Sequence, residues 1–280
     1  MLKNREIVKT IRGKHAIDGA GVHLVRVLGS QDVYDFDPFL MLDSFDSLNP
    51  EDYTAGFPWH PHRGIETITY IIQGRIEHMD SLGNKGAISA GESQWMTAGS
   101  GILHQEMPVA SERMLGFQLW LNLPRAEKMA PPAYLSITQA DIPVAESSFA
   151  TVRVLSGEYG GVSGVTPRHI PACILDISLP RGKSLTLPAK HEETVFVFLM
   201  EGDAVIGAHL IREKTAVLFG AGDTVSFEAP PDGDVRLIYF SGKALHELIA
   251  WGGPIVMNTR EELNLAFDEL RQGTFIKNKI

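Results

Sequence analysis

One cysteine, Cys173, stands in 280 residues. A single thiol forms no internal disulfide, so the fold rests on its own core, and a reducing compartment fits. Basic residues are also short: 25 Lys and Arg against 34 Asp and Glu give a formal net charge of −9. A field of that sign repels phosphate backbones, and no dense Lys/Arg cluster offsets it. Direct nucleic-acid binding is therefore disfavoured, and the acidity reads as solubility. No run of about eighteen apolar residues occurs, which excludes a membrane-spanning helix. The opening stretch "MLKNREIVKTIRGKH" is charged and lacks an apolar segment. No secretory signal is expected there, and the cytoplasm is the expected compartment.

What is present is a globular composition, 44% apolar and 21% charged. The dominant period is two. "ETITYIIQGRIEH" (66–78), "RMLGFQLWLNL" (113–123), "TVFVFLMEGDAVIG" (194–207) and "DVRLIYFSG" (234–242) are rich in Val, Ile, Phe, Tyr and Thr, with turn residues around them. Short strands punctuated in this way predict an all-β sandwich or barrel. "SLGNKG" (81–86) reads as a hairpin or loop tip. One helix is signalled over 258–273: Thr259 and Glu262 have capping-box spacing, Leu263, Phe267 and Leu270 share a face, and Gly273 can stop it.

A weak internal repeat divides the chain. "IETITYIIQG" (65–74) resembles "EETVFVFLMEG" (192–202), with one extra residue in the second copy; "SAGESQWM" (89–96) resembles "GAGDTVSF" (220–227). Two copies of one all-β unit are the economical explanation, with domains at 1–140 and 141–280. The Pro-rich stretch 128–143 between them reads as an extended linker with few regular pairings.

Within "FPWHPHRGIETITYIIQG" (57–74), His60 and His62 lie one residue apart, and "GSGILHQEMP" (99–108) repeats the device with His104 and Glu106. In a strand, residues i and i+2 project to one face. Two such pairs on adjacent strands can present three imidazoles and a carboxylate, a donor set suited to iron, nickel, copper, manganese or zinc. Glu66 completes a His-x-His-x-x-x-Glu pattern and is a rival ligand; spacing alone leaves the choice open. At the repeat offset His60 and His62 map near Leu187 and Ala189, and His104 and Glu106 near Val235 and Leu237. One metal site, in the N-terminal half, is expected. His191 reads as a surface loop residue. Phe57, Trp59, Trp95, Met96 and Leu103 are candidates for the pocket wall by proximity in sequence.

These stretches, with "FDPFLMLDSF" (36–45), "FQLWLNLP" (117–124) and "GGPIVMNTREE" (252–262), resemble the pirin family of the cupin superfamily. The resemblance implies a bicupin, two tandem β-barrels with a C-terminal helix. It implies iron, as Fe(II), held in the N-terminal barrel by His60, His62, His104 and Glu106, which favours Glu106 over Glu66. Some members open a flavonol ring with O₂, as quercetin 2,3-dioxygenases; mammalian pirin is a nuclear, iron-dependent co-regulator. The chain departs from the usual pattern at Trp59, in "PPAYLSI" (131–137), which lacks a glutamine after the tyrosine, and in "GVHLVRVLG" (21–29), which lacks a proline. Those departures bear on pocket shape. The expected partners are a small aromatic or enolic substrate and O₂, with Glu106 as proton acceptor. The alternative is a redox-sensitive regulator that acts through a protein partner without turnover.

Overall fold

The structure, a computed structural model, describes residues 2–278. The chain opens with β1 (Ile7–Arg12), β2 (Lys14–Asp18), β3 (Val22–Leu28), β4 (Phe39–Ser47), β5 (Phe57–His62) and β6 (Ile65–Gln73). It continues through β7 (Arg75–Asp80), β8 (Lys85–Ser89), β9 (Glu92–Thr97), β10 (Ile102–Pro108), β11 (Met114–Asn122) and β12 (Ala133–Ile137). The later part holds β13 (Val144–Glu146), β14 (Thr151–Ser156), β15 (Glu158–Tyr159), β16 (Val162–Ser163), β17 (Cys173–Leu179) and β18 (Ser184–Pro188). After these come β19 (Glu193–Glu201), β20 (Ala204–Ile206), β21 (His209–Ile211), β22 (Thr215–Phe219), β23 (Thr224–Glu228) and β24 (Val235–Lys243). The hairpin β25 (Ala250–Gly252) and β26 (Ile255–Met257) leads into α1 (Arg260–Gln272). Among the described residues no helix is long and apolar enough to cross a membrane.

Two cupin barrels result, each built from a seven-stranded and a four-stranded antiparallel sheet. In the first barrel the orders are β12-β9-β6-β11-β4-β3-β2 and β5-β10-β7-β8. In the second they are β1-β22-β19-β24-β17-β14-β13 and β18-β23-β20-β21, the same sequence of roles. The repeat therefore reflects a repeated topology, with two adjustments. Against β11, β6 has an irregularity next to Ile71, and β19 has one after Leu199 against β24. Residues 65–74 thus match 193–202 directly, and no extra residue is needed. Both copies end on a glycine at positive φ, Gly74 and Gly202, a conformation a side chain would strain. The second correction concerns residues 89–96. They lead into β9, whose counterpart is β22, so they match 212–219; residues 220–227 run into β23, the counterpart of β10.

The chain ends do not follow a simple cut at 140. Residues 15–138 form one compact unit with 245–280, and residues 1–14 form the other with 139–244. The cause is the edge strand beside β9 and β22. In the first barrel that place is filled by β12, paired with β9 from Ala133↔Thr97 to Ile137↔Ser93. In the second it is filled by β1, paired with β22. The supposed linker is thus partly a sheet strand: its prolines flank the pairing segment, and "AYLSI" has no backbone donor missing.

Strand alternation places the interior. In β7, Ile76, His78 and Asp80 are buried, while the residues between them are exposed. The second barrel is filled by a continuous Val/Leu/Ile core. The helix behaves as its sequence predicts. Both arms of the Thr259/Glu262 capping box form, and Gly273 closes the helix at φ 70°. Leu263 is buried with Ile255, Met257, Ala266 and Phe275, and Phe267 and Leu270 pack against them.

This C-terminal segment is pinned to the first barrel by Arg63. Its Nε donates to Ser100 O at 2.7 Å, and its Nη2 donates to Phe275 O at 2.8 Å. Nη1 pairs with Glu269 at 2.7 Å, and the guanidinium lies 4.2 Å from the Phe275 ring centroid. Removing one partner of a buried ion pair typically costs about 3–5 kcal/mol. Arg63→Ala is expected to destabilise this unit on that scale and to accelerate amide exchange through α1. Wild-type exchange rates in α1 would count against this role for Arg63.

Candidate metal centre

The site is assembled by register. β5 is the edge of its sheet, where prolines are tolerated because no neighbour needs their missing N–H. It pairs with β10 as His62↔Ile102, Pro61↔Leu103 and His60↔His104, with an irregularity between His104 and Glu106. The alternation on both strands turns His60, His62, His104 and Glu106 to the barrel interior. The three imidazoles converge: ring centroids are 4.8 Å apart for His60–His62, 4.4 Å for His60–His104 and 5.0 Å for His62–His104. One ring nitrogen from each lies within 4.8 Å of the others.

Two of the rings are oriented from outside. His60 Nδ1 lies 2.8 Å from Pro58 O, and His62 Nδ1 lies 3.1 Å from Pro254 O. A carbonyl can only accept, so each Nδ1 carries the proton and each Nε2 offers its lone pair. The two Nε2 atoms are 3.1 Å apart. Burial, the neighbouring His60 and, in opposition, the Pro254 carbonyl bring the His62 pKa down to about 3. Burial, with His62, His60 and His78 nearby, holds His104 well below the ordinary imidazole value. Neutral rings are the form that binds a metal. His104 is buried with neither ring nitrogen hydrogen-bonded. An unsatisfied buried ring nitrogen within 4.8 Å of a nitrogen on each of two more imidazoles fits a transition cation.

Glu106 lies beside the three-imidazole cluster without entering it, its Oε2 4.0 Å from His104 Nε2. Gln118 Nε2 donates to both carboxylate oxygens, at 3.0 and 2.8 Å, and Thr69 Oγ1 donates to Oε1 at 3.2 Å. Gln118 is fixed in turn by Trp120 Nε1, which donates to its Oε1 at 3.2 Å. A glutamine inside the apolar strand "FQLWLNLP" is the signal that could have marked it. Glu66 does not enter the imidazole cluster; it is buried and accepts from Thr97 Oγ1 at 2.7 Å.

Above the cluster opens a pocket of about 820 Å³. Phe57 and Trp59 line it as expected, but Trp95, Met96 and Leu103 do not. Trp95 and Met96 are buried core residues, and Leu103 packs against the C-terminal cluster. Alternation explains Leu103: it lies between Ile102 and His104 and so faces outward. Trp120, Trp251, Phe45 and Arg26 line the wall instead. The Trp120 ring stands edge-on to His62 at 4.9 Å and lies 5.7 Å from Trp251. Arg26 is a fork on Asp43, at 2.9 and 2.7 Å, and reaches Asp18 at 2.6 Å. Trp251 and Pro254 come from the β25–β26 hairpin, nearly two hundred residues from His60 in the chain, and nothing local in the sequence marks them.

A two-barrel cupin with convergent imidazoles under an aromatic pocket is the class that fold and site define. The pirin family profile matches residues 21–121, and the pirin C-terminal cupin profile matches residues 174–276. A pirin-like protein of Caulobacter vibrioides is 42% identical over 97% of this chain and 99% of its own. A Pseudomonas aeruginosa protein, provisionally named a quercetin 2,3-dioxygenase, is 40% identical over 98% of this chain and 99% of its own. A solved quercetin 2,3-dioxygenase from Acinetobacter baumannii superposes with TM-score 0.88 at 30% identity, covering 97% of this chain and 98% of that one. The chain belongs to the pirin family.

The depressed histidine pKa values fix the direction of a pH response. An unfolded imidazole titrates near 6.5, and His62 in the fold near 3. Between those values the unfolded chain binds more protons, so stability is full above about pH 6.5 and falls as pH drops. For the metal-free protein, His62 alone should remove roughly 3 kcal/mol by pH 4. Urea midpoints against pH measure this, and His62→Gln should flatten the slope.

Proposed function

We propose that this protein is a metal-dependent dioxygenase of small aromatic or enolic substrates, quercetin-type flavonols among them. One divalent transition ion, Fe(II) ahead of Mn, Ni, Cu or Zn, is held by His60, His62, His104 and Glu106. The observation that carries the reading is the three-imidazole cluster, of which His60 and His62 line an aromatic-walled pocket of about 820 Å³. The names of the relatives and the solved neighbour point the same way.

When bound, the ion supplies Lewis acidity toward a substrate hydroxyl and redox access to O₂. The rest is done by side chains. Trp120, Trp251, Phe57 and Trp59 offer ring faces and edges that suit a planar guest. The Arg26, Asp18 and Asp43 cluster meets polar substituents on the pocket wall. Glu106 is the proton acceptor. Gln118 and Thr69 occupy three of its roughly four lone-pair sites, which fixes the carboxylate; the fourth would serve the ion or, when released from it, the substrate proton, not both at once. The buried wall of Met41 and Phe45 limits bulk water.

A second reading, a redox-sensitive regulator acting through a protein partner, draws on Trp59, which is 48% exposed beside His60 at the pocket. Anaerobic loading with Fe(II), then addition of O₂ and quercetin, separates the two. The enzyme reading expects loss of the flavonol's visible absorption with matching O₂ uptake. Silence across the five metals and a flavonol panel overturns it, and a partner affinity that differs between Fe(II) and Fe(III) then favours the regulator.

Two substitutions test the assigned roles. Glu106→Gln should lower turnover by about 10²–10⁴, the usual weight of a general base; undiminished turnover removes that role. Gln118→Leu should weaken metal binding by about 10–100-fold, as loss of a residue that orients a ligand does, read by chelator competition.

A further inference from the structure

The second barrel has a cavity of its own, about 750 Å³. Strand pairing shows what it corresponds to. Because β19 matches β6 and β24 matches β11, Tyr239 and Ser241 hold the places of Gln118 and Trp120. Their partners on β17, Leu175 and Cys173, hold the places of Asp43 and Met41. On β18, Leu187 pairs with Val225 and Pro188 with Thr224, as His60 pairs with His104 and Pro61 with Leu103. Leu187 and Ala189 therefore stand for His60 and His62, as the repeat offset suggests. The counterparts of His104 and Glu106 are Val225 and Phe227 on β23, not Val235 and Leu237, which lie on β24. All six of Cys173, Leu175, Leu187, Ala189, Tyr239 and Ser241 line the second cavity, and all six counterparts line the first.

The second barrel has thus kept the position of the ligand chamber and replaced its metal donors with hydrocarbon. The chamber itself remains open beside the barrel's core. Its wall includes Leu175, Leu187, Val165 and the Tyr239 ring. One mostly buried carboxylate, Glu193, also lines it; Oε2 accepts from Ser241 Oγ at 2.8 Å, and Oε1 accepts from Lys190 Nζ at 3.0 Å. A carboxylate has about four lone-pair sites, so capacity remains for a guest's donor. Burial keeps the two neighbouring acids protonated, pushing the Cys173 thiol up to about 11 and the Tyr239 phenol up to about 12. The charged lining is then Glu158 and Glu193 against Lys190, a net negative wall. Apolar surfaces with a few convergent polar groups are what a small-molecule site consists of.

We propose that this cavity is a second, metal-independent binding site for a small cyclic molecule that carries an N–H or O–H donor and no negative charge, with Glu193 receiving the donor. It stands apart from the reaction proposed for the first barrel, so either can fail alone.

Cys173 is the chain's single cysteine, so its alkylation reports on this cavity and no other. The probes are benzamidine, benzamide and benzoate, near-isosteres that differ in charge, added to the full-length protein during reaction with iodoacetamide at about pH 9.5, where a thiol that titrates near 11 is a few per cent thiolate. Benzamidine and benzamide should slow alkylation several-fold, and benzoate should not. Glu193→Gln, close to isosteric, should raise the benzamidine concentration needed for half-protection by about ten-fold, the weight of one charge-assisted hydrogen bond. Ala189→Leu, which adds bulk to the cavity wall, should abolish protection. His60→Ala should leave it intact. Protection by none of the probes, or equally by benzoate, overturns the proposal. So does a folded-state alkylation far slower than the roughly thirty-fold deficit against urea that the raised thiol pKa alone sets at that pH, because the chamber is then closed.

Discussion

The register between β5 and β10 is the constraint on which the site depends. Pairing His60 with His104 and His62 with Ile102 brings three rings from two strands to one point. A slip of one residue would turn each candidate pair to the opposite face, because the side-chain period is two. Several buried contacts guard against that slip. Arg63, directly after His62, holds Ser100 O in the turn that leads into β10. Gly101 sits at φ 130° with its α-carbon against Phe275, where a Cβ would come within 2.9 Å of the ring. Lys128 Nζ donates to Gly64 O at 2.7 Å, to Val256 O at 2.9 Å and to Asn122 Oδ1. Together they tie one end of the β5–β10 pair, where His62 lies opposite Ile102, to the C-terminal segment.

That tie gives the C-terminal segment a role beyond covering apolar surface. The β25–β26 hairpin supplies Pro254 O to orient His62, and Trp251 to the pocket wall. Helix α1 supplies Glu269 to Arg63. The first barrel's site is therefore complete only with residues from the far end of the chain. Its chemistry is prepared by burial: desolvation keeps His62 and His104 neutral, and the carbonyl contacts of His60 and His62 decide which nitrogen faces inward. Gln118 does the corresponding work for Glu106.

The two barrels share one topology and differ in the side chains it carries. Strand order and the turn glycines Gly74 and Gly202 are shared. At the positions proposed to hold the ion one copy carries His60, His62, His104 and Glu106, and the other carries Leu187, Ala189, Val225 and Phe227, all buried in its core. The exchange of β1 for β12 supplies the same edge strand from the start of the sequence in one barrel and from its middle in the other, a solution the backbone permits because any chain with the right alternation can complete an edge.

The sequence by itself determined what acts over a few residues. Period-two alternation put His60 with His62 and His104 with Glu106, and the capping box and Gly273 bounded α1. The half-chain repeat announced two like barrels, and the family motifs matched the domain profiles. Only tertiary structure decided that β12 is a strand, that β1 joins the other barrel, and that Trp251, Pro254, Arg26 and Gln118 complete the pocket rather than Trp95, Met96 or Leu103. The physical reason is range. Alternation and caps depend on bonds within one element, whereas strand register and pocket walls depend on which distant segments pack together, and no local pattern of residues encodes that choice.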